Sequence, residues 1–181
     1  ASERVLKNIA IEMNIPDEAI CYHMDNSREE LNFKVERTKY ARGDLRKLVR
    51  KSAKDGLADN LNPFIIFTPH RTNDYGCSVI INDIRRILVD QKVALFCGEM
   101  PNPEKTTWSL ENEPNYLPEM SWGLFDKLPP EERFGFYKAE VQRLFKQNKI
   151  AGICATKSFG MGVNKTNVRM TVHLGCPPSM E

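Results

Sequence analysis

The sequence of 181 residues lacks any apolar stretch of the roughly 20 residues that a membrane-spanning helix requires. Its first residues, ASERVLKNIAIEMNIP, also lack the long apolar run of a secretory signal. There is no strong excess of one charge, because 26 lysines and arginines against 24 acidic residues give a net charge of +2. The sequence therefore predicts an intracellular globular protein in which any contact with nucleic acid is local.

Cysteine pairs at metal-binding or redox spacing are also absent. The five cysteines include no Cys-x-x-Cys motif, lie far apart and fall mostly within apolar runs. This pattern favours buried free thiols in a reducing compartment over a disulfide framework or a zinc site. The cysteines are Cys21, Cys77, Cys97, Cys154 and Cys176. We expect no metal site in this chain.

The phosphate-binding loop of nucleotide hydrolases is missing as well. No Gly-x-x-x-x-Gly-Lys-Ser/Thr motif occurs. The adjacent acidic pair Asp17-Glu18 follows a proline turn, whereas the acid of a Walker-B motif closes an apolar strand. We therefore assign no catalytic residue, and we expect the chain alone to be inactive as an ATP hydrolase.

Apolar runs and helical patterns alternate from residue 62 onwards. Four runs, within NPFIIFTPHR, VALFCG, IAGICAT and RMTVHLG, are typical of buried strands. Two segments between them, TNDYGCSVIINDIRRILVDQ and PPEERFGFYKAEVQRLFKQNK, have helical spacing, and Thr72 or Asn73 is the expected cap of the first. This alternation predicts an α/β fold with a mostly parallel central sheet flanked by helices. The loops TPHR, CGEM and TKSFGMGVNK should gather at the carboxyl edge of that sheet.

Two regions depart from the alternation. Residues 1–27 contain a predicted helix, ERVLKNIAIEM, and a predicted strand, AICYHM, and they look like the end of a preceding unit. The segment at about 101–133 holds both tryptophans and is too long for an ordinary loop. Trp108, Trp122 and Phe125 either pack this segment onto the core or belong to a protrusion that binds a partner or separates strands.

The segment ATKSFGMGVNKTNVRMTVHLGCPPSME carries the most specific pattern. It resembles motif V of the RecQ family of superfamily 2 helicases, AT.AFGMGI.KP.VR.V.H...P.S.E. FIIFTPHR resembles motif IV, and SREELNFKVERT resembles the strand that opens the second RecA-like domain of that family. The resemblance implies a RecA-like three-layer fold in which residues 28–181 form the second helicase lobe, with an insertion at about 101–133. Residues 1–27 then connect it to the first lobe.

The resemblance also implies which residues contact ligands. Glycines allow close approach of the backbone to a ligand, and the nucleotide contacts fall on Gly162, Asn164 and Lys165. Contacts to the DNA backbone, which position a strand without reading its bases, fall on Thr68, Arg71, Gly98, Thr156 and Ser158. Without the resemblance, the two glycines of motif V indicate only a tight connection, and Arg71 is either a phosphate contact or one half of a surface ion pair. The basic run within KYARGDLRKLVRKSAKDG is either a solvated helix face or part of a nucleic-acid footprint.

The function that the resemblance implies is that of an ATP-dependent DNA helicase with 3′-to-5′ polarity. ATP with Mg²⁺ is bound mainly by the first lobe, and the partners are that lobe and single-stranded or partly duplex DNA, with no membrane. Such a protein acts in the nucleus of a eukaryote, or in the cytoplasm or nucleoid of a bacterium. The alternatives are a nucleic-acid-binding or regulatory module without motor activity, and an RNA-directed superfamily 2 lobe.

Three departures from the family pattern limit these expectations. FCGEM keeps the glycine of the corresponding family turn, Gly98, but lacks its histidine. Thr166 stands where the family has proline. The sequence reaches Glu181 before the segment that supplies the family's arginine finger.

Overall fold

The structure, a computed structural model, describes residues 3–16, 32–54, 62–160 and 165–175. The chain divides into two compact units, Ala1–Arg37 with Pro177–Glu181, and Thr38–Cys176. In the first unit, helix α1 (Glu3–Glu12) confirms the predicted helix. Residues 32–37 form neither helix nor strand, unlike the family strand that this segment resembles. The predicted strand AICYHM lies outside the described residues.

Four short strands of the second unit form one parallel sheet. The strands are β1 (Phe64–Phe67), β2 (Val93–Phe96), β3 (Gly152–Ala155) and β4 (Met170–His173). They lie in the order β2-β3-β1-β4, with Gly152 opposite both Phe64 and Val93, and with Phe64 opposite Met170. The four predicted strands are confirmed. Strands β2 and β3 are buried along their whole length, which explains their continuous apolar runs.

Helices cover both faces of this sheet. They are α2 (Ala41–Lys54), α3 (Cys77–Ile87), the single turn α4 (Trp122–Phe125) and α5 (Pro130–Lys146). The crossovers β1-α3-β2 and β2-α5-β3 run in opposite directions across the sheet. Because such crossovers are right-handed, α3 and α5 lie on opposite faces. The result is the predicted α/β layer arrangement, consistent with a RecA-like fold.

Helix α3 begins later than the sequence predicts. Its N-cap is Gly76, and no side chain caps it, so the expected cap at Thr72 or Asn73 is wrong. A Cβ atom at Gly76 would lie 2.5 Å from the backbone carbonyl of Thr72, which only glycine avoids. Asn73 instead forms the preceding turn, with φ of 81° and its Oδ1 accepting a hydrogen bond from the Tyr75 N–H at 3.1 Å.

The basic helix α2 is held against α3 by one buried carboxylate. Asp83 accepts hydrogen bonds from Arg42 Nε at 2.6 Å and from Arg46 Nη2 at 2.8 Å. A buried carboxylate needs such partners because its charge has lost its water. Two cations of the predicted basic run therefore serve packing, while Arg50 and Lys51 are exposed.

The three cysteines in the described part of the chain, Cys77, Cys97 and Cys154, are buried and free. This confirms the prediction for them, whereas Cys21 and Cys176 lie outside the described residues. Burial raises the pKa of the Cys154 thiol, which therefore behaves as an apolar core group. No described helix combines the length and apolar character needed to cross a membrane.

The insertion packs onto the core, which confirms the first of its two interpretations. Trp108 and Phe125 are buried, and Trp122 packs against the same cluster. The Trp108 ring lies 6.3 Å from that of Phe134 and 5.9 Å from that of Tyr137, between ring centroids. Both partners belong to α5, so the insertion closes over one end of that helix.

A buried carboxylate inside the insertion binds three different elements. Glu113 accepts hydrogen bonds from Arg85 at 2.7 and 3.0 Å, from Trp108 Nε1 at 2.8 Å and from the Tyr137 hydroxyl at 2.8 Å. Glu113 and Tyr137 have no exposed surface. Burial raises the pKa of Tyr137 well above its usual value, so its hydroxyl stays protonated and donates to the carboxylate.

The same network covers the outer edge of the sheet. Arg85 donates to the Val93 carbonyl at 2.9 and 2.7 Å, and the Leu95 N–H donates to the Tyr137 hydroxyl at 3.2 Å. Alternate residues of an edge strand direct these backbone groups away from the sheet, where they require partners. Side chains held by Glu113 supply those partners to β2.

We predict that Glu113→Gln lowers the free energy of unfolding by about 3–5 kcal/mol, because it leaves the Arg85 charge buried without its counterion. Urea denaturation followed by circular dichroism measures this loss. Glu111→Gln, an exposed neighbour in the same turn, is the control and should change stability by less than about 0.5 kcal/mol. Equal effects of the two substitutions would contradict the role of Glu113.

We predict that a second paired carboxylate, Glu140, makes the stability of the fold depend on pH. Glu140 accepts hydrogen bonds from Arg143 Nε at 2.6 Å and from the Ser121 N–H at 3.1 Å, and Arg143 lowers the pKa of Glu140 to about 2. A lowered pKa stabilises the fold above the ordinary value of 4.5, and this stabilisation is lost as the pH falls towards 2. Glu140→Gln should therefore cost about 1 kcal/mol at pH 6 and clearly less at pH 3, by urea denaturation. Glu104→Gln, at an exposed carboxylate, is the control, and an equal change with pH in the two variants would contradict the role of Glu140.

Candidate nucleic-acid interface

Three loops meet at the carboxyl edge of the sheet. They follow β1, β2 and β3, which are neighbours in the order β2-β3-β1. The Thr156 N–H donates to the Phe96 carbonyl at 3.1 Å, and the Thr68 N–H donates to the Ala155 carbonyl at 2.8 Å. These bonds continue the ladders past the strand ends, so the predicted gathering of the loops is confirmed.

The loop after β3 presents two hydroxyl groups beside the loop after β2. Thr156 Oγ1 and Ser158 Oγ lie 2.9 Å apart, and both residues are half-buried. A Cβ atom at Gly98 would lie 3.9 Å from Ser158 Cβ and Oγ. Thr156, Ser158 and Gly98, three of the predicted DNA-backbone residues, are therefore brought together.

Phe159 holds these hydroxyl groups in place. It lies in the 3-10 turn Lys157–Gly160, and its N–H donates to the Thr156 carbonyl at 3.1 Å. Its ring is buried, 4.9 Å from the Phe96 ring and 5.8 Å from the Phe145 ring between centroids. The buried ring fixes the turn, which leaves its polar side chains at the surface.

The loop after β1 has less free hydrogen-bonding capacity than the sequence suggests. Thr68 is buried, and its hydroxyl donates to the His70 carbonyl at 2.9 Å, so a phosphate contact would need that bond to be replaced. Arg71 Nη1 pairs with Glu99 Oε2 at 2.6 Å. This pair joins two of the loops, and an exposed pair of this kind contributes only about 0–1 kcal/mol. Arg71 can therefore exchange Glu99 for a phosphate at small cost.

Lys138 is a residue of this edge that sequence reasoning missed. Its Nζ donates to the Gly98 carbonyl at 2.8 Å, reaching from α5 to the loop after β2. It adds a positive charge beside the two hydroxyl groups. The helical pattern places Lys138 on α5, but the face that reaches a strand end depends on tertiary packing.

Lys165 of the motif V segment does not lie at the carboxyl edge. Lys165 Nζ donates to Asn148 Oδ1 at 2.6 Å and sits 4.9 Å from the Phe145 ring centroid, and burial lowers the pKa of its ammonium group. Asn148 precedes β3, so Lys165 lies at the amino edge, away from Thr156. The other two predicted nucleotide residues, Gly162 and Asn164, fall outside the described residues.

Within the described ranges, no group of three or more His, Cys, Asp or Glu residues could hold a metal ion.

The fold and this edge define a parallel α/β protein with hydroxyl and cationic side chains gathered at the carboxyl ends of its strands. No family model matches the chain. It is 46% identical over 44 residues to the ATP-dependent DNA helicase RecQ of Pasteurella multocida, covering 24% of this chain and 7% of the relative. It is 30% identical over 117 residues to the ATP-dependent DNA helicase Q1 of Pongo abelii, covering 62% of this chain and 16% of the relative.

A third relative comes from Acanthamoeba polyphaga mimivirus, and its name proposes an ATP-dependent RNA helicase. It is 42% identical over 45 residues, covering 25% of this chain and 8% of the relative. The chain thus spans no more than 16% of the length of any of these three proteins. These similarities support a helicase-related role.

Proposed function

We propose that this chain is the second RecA-like lobe of a RecQ-like ATP-dependent DNA helicase, with residues 28–181 as the lobe and 1–27 as its connection to the first lobe. The observation that supports this most is the meeting of Thr156, Ser158 and Gly98 at the carboxyl edge. Thr156 and Ser158 belong to the segment that resembles motif V, and Gly98 belongs to the neighbouring loop. The resemblance implies contacts with the DNA backbone for all three residues.

In this proposal the carboxyl edge binds phosphates of single-stranded DNA. The hydroxyl groups of Thr156 and Ser158 bond to each other, so one of the two donates to a phosphate, and Arg71 and Lys138 supply positive charge. Such contacts hold a strand in register and carry no base specificity. Thr68 shapes the loop through its bond to the His70 carbonyl. The modest net charge of +2 suits a local contact of this kind.

The same segment would complete an ATP site with the first lobe. That lobe would supply the phosphate-binding loop and most of the ligands of Mg²⁺, and hydrolysis of ATP would drive the movement of the lobes. Gly162 would allow close backbone approach, Asn164 would contact the ribose or a phosphate, and Lys165 would add positive charge. The described residues offer no metal-binding cluster of their own.

An RNA-directed lobe is the second candidate, because one relative carries the name of an RNA helicase. Backbone phosphates are common to both nucleic acids, and the 2′-hydroxyl group is what distinguishes RNA. Comparing the affinity of the chain for DNA and RNA strands of equal sequence and length separates the two candidates. A module without motor activity would bind either strand, and the intact protein would show no ATP turnover.

We predict that substitutions at the two partners of the Arg71–Glu99 ion pair change the affinity for DNA in opposite directions. Glu99→Gln should strengthen binding to a fluorescent single-stranded DNA because it frees Arg71, whereas Arg71→Gln should weaken it. Arg71→Gln should also reduce the slope of log affinity against log salt by about 0.7, because one phosphate is no longer neutralised. Fluorescence anisotropy measures both quantities. Arg86→Gln removes an exposed charge of α3 and is the control; if it matches Arg71→Gln, Arg71 has no specific role.

A further prediction assigns different roles to Thr156 and Asn164 of motif V, and it is tested in the protein that contains both lobes. Thr156→Ala should remove a hydrogen bond worth roughly 0.5–1.5 kcal/mol, chiefly weakening the stimulation of ATPase by DNA and changing basal ATPase little. Asn164→Ala should instead slow turnover at saturating DNA. Matched thermal melts establish that both variants are folded. If both lose DNA affinity alike and keep saturated ATPase, the segment does not join the two ligands.

A further inference from the structure

A cleft of about 400 Å³ opens at the amino edge of the sheet. Its walls come from the residues that precede all four strands, at 62–63, 90–92, 148–151 and 167. This edge is opposite the one that carries Thr156 and Ser158. The volume lies within the range of about 300–1,000 Å³ that small-molecule sites occupy. The cleft is therefore large enough for a small ligand and is separate from the candidate interface.

Four of the ten residues that line this cleft carry a carboxamide, namely Asn62, Gln91, Asn148 and Asn167. Asn62 and Gln91 each bring a carboxamide oxygen that is buried and accepts no hydrogen bond from any described residue. Buried polar atoms are nearly always paired in native proteins. An amide oxygen only accepts, so a group that pairs with either of these two atoms must be a donor.

A third carboxamide is oriented by its neighbours. Asn148 Oδ1 accepts hydrogen bonds from Lys165 Nζ at 2.6 Å and from Asn167 Nδ2 at 3.0 Å. These bonds fix which end of the side chain is the oxygen, and no described residue accepts a bond from Asn148 Nδ2. Lys149 is exposed beside it, whereas Lys92 is paired with Glu119. The cleft thus combines buried acceptors, an amide donor, the Lys149 cation and the exposed carboxylate of Asp90.

We propose that this cleft binds a nucleotide whose base carries an amino group beside a ring nitrogen that accepts, as adenine and cytosine do. The amino group would donate to the oxygens of Asn62 and Gln91, Asn148 would donate to the ring nitrogen, and Lys149 would meet the phosphate. Asparagine and glutamine pair with adenine through this donor–acceptor pattern. Uracil presents the reverse pattern, a carbonyl oxygen that accepts beside a ring N–H that donates. The described residues that line the cleft include no aromatic ring, so hydrogen bonds rather than stacking select the base.

The test is a titration of the ¹⁵N-labelled chain of 181 residues, followed by NMR at the backbone amides of 90–92 and 148–151. The probes are AMP, CMP, UMP and ribose 5-phosphate. AMP and CMP should bind at least about tenfold more tightly than the other two, because UMP sets an acceptor against the buried oxygens. Equal affinity for AMP and UMP, or no shift with any probe, would overturn the proposal.

The base can come from a free nucleotide or from a nucleic-acid strand. The tetranucleotide of deoxyadenylate distinguishes these sources: tighter binding than AMP at the same amides identifies a strand, and weaker binding identifies a free nucleotide. The amides of Gly98 and Ser158 report the opposite edge separately. Shifts confined to that edge would overturn this proposal while leaving the proposed helicase function intact.

Variants test the individual contacts. Gln91→Leu removes the acceptor and should weaken AMP binding about tenfold, whereas Gln91→Glu keeps an acceptor and should retain it. Gln142→Leu, in the middle of α5 and outside the cleft, is the matched control. Lys149→Ala should weaken AMP but not adenosine, and Lys146→Ala should change neither. If Gln91→Leu binds AMP as Gln142→Leu does, the base contact is wrong.

Discussion

The ion pair between Glu113 and Arg85 is the interaction on which the arrangement of this domain depends. Removing both charges from water costs several kcal/mol, and four hydrogen bonds to one carboxylate offset that cost. The donors come from α3, from α5 through Tyr137 and from the insertion through Trp108. Because Arg85 and Tyr137 also bond to the backbone of β2, one carboxylate positions a helix on each face and the edge of the sheet.

The position of β2 in turn sets the geometry of the candidate interface. Phe96 lies opposite Ala155 in the β2–β3 register, so the loops that follow these residues leave the sheet side by side. This pairing brings Gly98 next to Ser158, and Lys138 reaches the same loop from α5. The insertion therefore acts on the interface indirectly. It closes one side of β2, whose carboxyl end carries part of the interface.

The elements of this fold could be predicted because their signals are local. Continuous apolar runs mark strands covered on both faces, and helical spacing marks α3 and α5. Glu113 could not be predicted, because an acidic residue among polar neighbours in LENEPN looks solvated until Arg85, 28 positions away, is brought to it. The predicted cap of α3 was wrong for a different, local reason: close packing of the chain on Thr72, rather than a side-chain hydrogen bond, selects Gly76. The pairing of Arg71 with Glu99 likewise depends on the sheet order, in which β1 and β2 lie on either side of β3.

Thr156 and Lys165 of the motif V segment lie at opposite edges of the sheet, yet Lys165 and the turn after Thr156 contact the same core residue. Strand β3 has four residues, which span about 13 Å, so Thr156 and Lys165 are too far apart to touch one ligand atom together. The Phe145 ring contacts the Phe159 ring and also lies under Lys165 Nζ. Phe159 fixes the turn that carries the hydroxyl groups. A close-packed interior transmits small displacements, so a movement at Lys165 has a continuous route through Phe145 and Phe159 to Ser158. Coupling between two ligands in this segment would therefore pass through the aromatic core.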